Sequence, residues 1–76
     1  MANRTYKFTP YVLNRAGDWS YIEGGEWFET SLRRGFGGLS PVASNGSTVK
    51  VVAFNDDEEE ASSQTYEVRN GKMVRV

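Results

Sequence analysis

The chain has 76 residues, ten acidic and nine basic, a net charge of −1, and neither cysteine nor histidine. That length holds one domain, residues 1–76, and so short a chain buries only about 60% of the surface its unfolded form exposes. The missing residue types exclude disulfides, thiolate nucleophiles, zinc–thiolate and iron–sulfur sites, the usual proton shuttle and the commonest metal ligand.

Stability therefore rests on apolar packing. The aromatics, 13% of the chain, suit that task, because each buries roughly 150–250 Å². One or two left exposed would serve as anchors for a partner. The opening "MANRTYKF" is polar, and no run approaches the ~20 apolar residues that cross a bilayer. A soluble, cytoplasmic protein is expected.

In chain order, Thr5 to Asn14 alternates Tyr6 and Phe8 with Lys7 and Thr9 and reads as a strand. Pro10 interrupts it, which predicts an edge strand or two short pieces, since proline cannot donate to a ladder. "NRAGD" is a turn with Gly17 at the permissive position. Asp18 to Glu23 is a second strand, forming a hairpin with the first. After Gly24-Gly25, "EWFETSLRR" is the one helical stretch. Phe28 and Leu32 share a face, Glu26 and Glu29 sit in the first turn, and Arg33 and Arg34 in the last. No Ser, Thr, Asp or Asn precedes it, and Gly35 stands where a left-handed cap is wanted. Residues 37–47, "GGLSPVASNGS", form a long irregular connection. "TVKVVAFN", from Thr48, is apolar on both faces, as a central strand covered on both sides would be. The acidic run and "ASS" make a loop.

Asn70-Gly71 between two β-rich runs is the strongest short hairpin signal. A two-residue turn pairs Val68 with Met73 and Tyr66 with Arg75 on the core side, and Glu67 with Val74 and Thr65 with Val76 on the other. The fold class is α+β: a small antiparallel sheet of about five strands, in the order β-β-α-β-β-β, with one short helix. A small β-barrel is the alternative.

Two stretches carry the functional question. "LRRGFGG", Leu32 to Gly38, contains "RGFG", which resembles the start of the strand signature of RNA-recognition motifs. The resemblance ends there. Gly38 and Leu39 replace the aromatic and β-branched residues of that signature, one helix is expected rather than two, and the match falls at a helix end. Helix capping explains the same residues: arginines at the C-terminus, a capping glycine, Phe36 returning to the core, and Gly37-Gly38 starting a loop.

The second stretch is "NDDEEE", Asn55 to Glu60. Residues 56–60 carry a net charge of −5, whereas residues 1–55 and 61–76 carry +2 each. One reading is a solvated loop that blocks edge pairing. A second is calcium, since Asp56, Glu58, Glu60 and Glu67 fall at EF-hand positions. Against it, Ala61 replaces the required glycine, Ser63 the apolar residue, and the flanks are strands. The third is recognition: five carboxylates imitate the phosphates held by an Arg/Lys-rich groove.

Catalysis is not expected. No facing carboxylate pair, no serine–base pair beyond what Lys7, Lys50 or Lys72 would supply, and no phosphate-binding glycine motif is recognisable. No cofactor or metal is implied.

The expected function is a non-catalytic protein-binding inhibitor or adaptor whose partner is a basic, nucleic-acid-handling protein. Asp56, Asp57, Glu58, Glu59 and Glu60 make the electrostatic contact, and Trp19 or Trp27 the desolvated anchor. In size and composition the chain resembles the phage accessory products that block host machinery, an analogy no motif supports. The alternative is a nucleic-acid-binding module using Arg33, Arg34, Phe36 and Lys50, against which the near-neutral charge counts. A further alternative is a structural subunit assembling through strand edges.

Overall fold

The computed structural model describes residues 5–37 and 39–76. The expectations for "MANR" and for Gly38 as a loop residue fall outside them. The elements are β1 (Tyr6–Leu13), β2 (Trp19–Tyr21), β3 (Trp27–Glu29), α1 (Leu32–Phe36), β4 (Thr48–Phe54), β5 (Glu60–Arg69) and β6 (Lys72–Arg75). All strand pairs are antiparallel, in the order β2-β1-β4-β5-β6, with β3 also on β1. This is the expected small sheet with one short helix. Among the described residues it has six strands, and no ladder closes it into a barrel.

β1 is central, not an edge or two pieces. On one side it pairs with β4 along its length. On the other it pairs with β3 through residues 6–8 and with β2 through residues 11–13. The Pro10 carbonyl accepts a hydrogen bond from the Ile22 N–H at 3.0 Å. Carbonyl and nitrogen of one strand residue point the same way in an antiparallel sheet. The proline nitrogen therefore faces the gap between β2 and β3, where no ladder bond is lost.

The expected helix from Glu26 is the largest departure. Trp27 to Glu29 is a strand on the free edge of β1, opposite Tyr6 to Phe8, and the helix begins only at Leu32. Strand geometry puts Trp27 beside Phe8, their rings stacked with centroids 5.5 Å apart. It puts Phe28 on the other face, exposed and separated from Leu32, which packs on the core. Tertiary pairing of two aromatics outweighed a weak helical pattern. The helix does have a cap: the Ser31 hydroxyl accepts from the Arg34 N–H at 3.1 Å. Gly35 is inside the helix, and the C-cap is Gly37, with an ordinary φ of −90°.

Alternation along paired strands divides the side chains between two faces. Phe8, Pro10, Val49, Val51, Ala53, Tyr66 and Val68 are buried on one. The helix, Trp27, Leu39, Val42 and Ala43 cover it. Phe36 meets Phe8 edge-on at 5.1 Å. The helix comes so close that a β-carbon on Gly35 would overlap three ring carbons of Phe8. Packing, rather than capping or nucleic-acid chemistry, thus explains this glycine of the Arg–Gly stretch.

β4 lies mid-sheet, but only one of its faces is covered by a second layer among the described residues. Val52, on the other face, is buried by its neighbours in the sheet. The final hairpin has the expected register, with Tyr66 opposite Arg75 and Val68 opposite Met73. Asn70 and Gly71 have φ of 51° and 74°, the positive pair a two-residue turn of this kind requires. The irregular connection docks along β5, with the Gly46 N–H on the Val68 carbonyl at 2.7 Å and the Val68 N–H on the Ser47 carbonyl at 2.9 Å.

Candidate partner-binding face

The uncovered face is set by the register. Tyr11 lies opposite Tyr21 and Lys50, Leu13 opposite Trp19, Lys7 opposite Phe28 and Phe54, and Thr9 opposite Val52. All point away from the helix. Leu13, Trp19, Tyr21 and Phe28 are between 40% and 62% exposed, and contiguous exposed apolar surface is a feature of interaction sites. The Tyr11 and Tyr21 rings meet at 6.0 Å, and the Lys50 ammonium lies 5.8 Å from the centre of the Trp19 ring.

The β4–β5 turn stands at the edge of this face. Asn55 builds it: its Oδ1 accepts from the Asp57 N–H at 2.9 Å and the Glu59 N–H at 3.0 Å, while its own N–H donates to the Glu59 carbonyl at 2.9 Å. Asn14 builds the β1–β2 turn with the same bonds, its Oδ1 accepting from Ala16 and Asp18. The fourth residue of each turn has positive φ, Gly17 at 85° and Glu58 at 60°. Glycine takes that conformation freely, whereas glutamate does so at a cost.

Asp56, Asp57, Glu58, Glu59 and Glu60 are all exposed. The Thr5 N–H reaches the Asp56 carboxylate at 3.4 Å. Among the described residues no lysine or arginine pairs with any of the five; the ion pair present is Arg69–Glu67, at 2.8 Å, which holds the Glu67 carboxyl below its ordinary range. Nor do three acidic side chains among the described residues converge as metal ligands do.

The turn and the aromatic face are continuous. Tyr11, Tyr21, Phe54, Thr9 and Lys7 line one hollow with Glu26, Asn55 and Glu58. Tyr11, Trp19, Lys50, Val52 and Phe54 line the next with Glu60. In the first, the Tyr21 hydroxyl donates to Glu26 Oε2. That bond to a carboxylate pushes the phenol pKa up to about 12, with smaller contributions from desolvation and the charges of Glu26 and Glu23.

The structure thus brings Trp19 together with the acidic turn but not Trp27. Trp27 is on the covered face, half-buried against Phe8, with its indole N–H donating to the Gly35 carbonyl at 3.3 Å. Arg33, Arg34 and Phe36 lie on the helix side and Lys50 on the open face, so these four do not form one patch. Sequence reasoning missed Tyr11, Tyr21, Glu26, Phe28 and Phe54. The alternation of Tyr11 and Leu13, and of Trp19 and Tyr21, carried the signal. Reading which side the core took needed the helix placed correctly.

No protein-family model, curated protein or solved structure matches this chain. No helix among the described residues is long and apolar enough to cross a membrane.

Proposed function

We propose that the chain is a small non-catalytic protein-binding inhibitor or adaptor, docking on a basic, nucleic-acid-handling partner through the β4–β5 turn and the adjoining open face. The supporting observation is their continuity: Glu58 and Glu60 line the same hollows as Tyr11, Trp19, Tyr21 and Phe54. Charge steers and aromatic area anchors, the division found in protein interfaces.

The magnitudes favour the turn acting as a unit. One exposed ion pair contributes about 0–1 kcal/mol. Five carboxylates, four in a turn closed by the Asn55–Glu59 bond and Glu60 at the start of β5, lie within about one screening length, ~10 Å at 0.1 M salt, so a basic groove meets their summed field. Phosphate mimicry gives that field its class of partner. The nucleic-acid reading draws support from Lys7 and Lys50 on the aromatic face, but the same turn would repel phosphates from it.

The two readings respond oppositely to mutation. Binding to an arginine-rich peptide and to a single-stranded oligonucleotide is measured by fluorescence anisotropy. Neutralising Asp56–Glu60 to the amides should abolish peptide binding, and Arg33→Gln with Arg34→Gln should leave it unchanged. Oligonucleotide binding that weakens with the arginine variant, and no peptide binding at all, would overturn the proposal.

A further inference from the structure

We infer that the hollow between Tyr11, Tyr21 and Phe54 receives one basic side chain of the partner, an arginine or lysine, against Glu26 and Glu58. This rests on the proposed docking of a basic partner and names what the partner presents. The hollow measures about 350 Å³, with three aromatic rings and two carboxylates among its lining groups. Ring faces attract cations, and carboxylates complete the match. An anionic or purely apolar guest would leave both acids without a use.

Three features support a cationic guest and one opposes it. Tyr21 donates to one oxygen of Glu26, fixing the carboxylate at the rim and leaving Oε1 to accept. Glu58 stands at a positive φ that the equivalent turn gives to Gly17, and strain of this kind persists where a side chain has work to do. On the same face a cation already sits near an aromatic ring, Lys50 by Trp19. Lys7 is the opposing charge: it lines the hollow but is itself exposed, so it swings out to solvent or competes with the guest.

The test uses two peptides, acetyl-(Gly-Arg-Gly)₃-amide and the same peptide with citrulline, which keeps the shape and removes the charge. Binding is followed by NMR on the aromatic and amide signals of the full chain. The arginine peptide should shift the ring signals of Tyr11, Tyr21 and Phe54 and the citrulline peptide should not. Tyr21→Leu and Glu58→Gln should each weaken binding about three- to tenfold, the range expected for losing one cation–aromatic or charge contact. Lys7→Gln should strengthen it.

Tyr21 and Glu58 are exposed, so both variants should fold, which their amide spectra verify. Shifts confined to residues 56–60, with Tyr21→Leu binding unchanged, would overturn the hollow as the receptor while the docking turn stood. Equal binding of citrulline would overturn the demand for charge. Failure of the arginine peptide to bind at all would overturn both readings.

Discussion

Replacing Glu58 with glycine should stabilise the protein while weakening its hold on a basic partner. Glu58 has φ of 60°, and a left-handed conformation costs an L-residue about 1–2 kcal/mol. Glycine removes that cost, but it also frees the unfolded chain, which takes back about 0.4–1 kcal/mol. The net gain is about 0.5–1 kcal/mol, or about 2–8 °C in Tm for a domain of this size.

The β1–β2 turn supplies the reciprocal control. Gly17, at φ 85°, has open space where a β-carbon would go, so Gly17→Ala meets no clash and should cost about 1 kcal/mol from backbone strain alone. Thermal unfolding followed by circular dichroism reads both. A Glu58→Gly variant no more stable than the parent, beside a clearly destabilised Gly17→Ala, would refute the claim that Glu58 is held at a cost. Equal loss of stability in both would mean that the carboxylate itself holds the turn together.

Two further predictions concern the core and the open face. Gly35→Ala drives a methyl into the Phe8 ring. Over-packing of this kind costs about 3 kcal/mol or more, much of the margin of so small a domain, so near-ultraviolet dichroism should collapse and Tm fall by more than about 10 °C; a parent-like melt would show that the helix does not approach Phe8 so closely. Tyr21 should ionise near pH 12, well above an ordinary phenol at 10.0, because Glu26 accepts its hydrogen bond. Its folded pKa is raised, so this bond stabilises the fold fully below about pH 10 and is lost as pH rises toward 12. Burial also raises the Tyr66 phenol, so absorbance at the phenolate band should show two late tyrosines, of which Glu26→Gln returns one toward 10.0; an unchanged titration in that variant would refute the bond.

Short-range signals were legible in the sequence and long-range pairing was not. Asn70-Gly71 set its own hairpin, because both φ values are dictated by those two residues. The Asn14–Asp18 turn was legible for the same reason. Trp27 and Phe28 were misread because a helix and an edge strand both accept "EWFET". What decided between them was the vacant edge of β1 and the ring of Phe8, some twenty residues away. Pro10 was misread likewise: a proline in a central strand is tolerated only where a neighbour is missing, and the gap between β2 and β3 appears only once both are placed.

The site followed the same division. The acidic run was plain in the sequence, since charge does not depend on fold. Trp19 lies on the open face and Trp27 on the covered one, and the two were grouped because composition does not say which face a tryptophan takes. The hollow of Tyr11, Tyr21 and Phe54 joins three strands or strand ends, so no local pattern announced it.

The most direct measurement is affinity capture from a cell lysate with the parent chain and with the variant carrying amides at residues 56–60, each with and without nuclease, read by mass spectrometry. A basic nucleic-acid-handling protein should be retained by the parent, unaffected by nuclease and lost with the variant. Material that vanishes with nuclease, or a partner held equally by both chains, would contradict it.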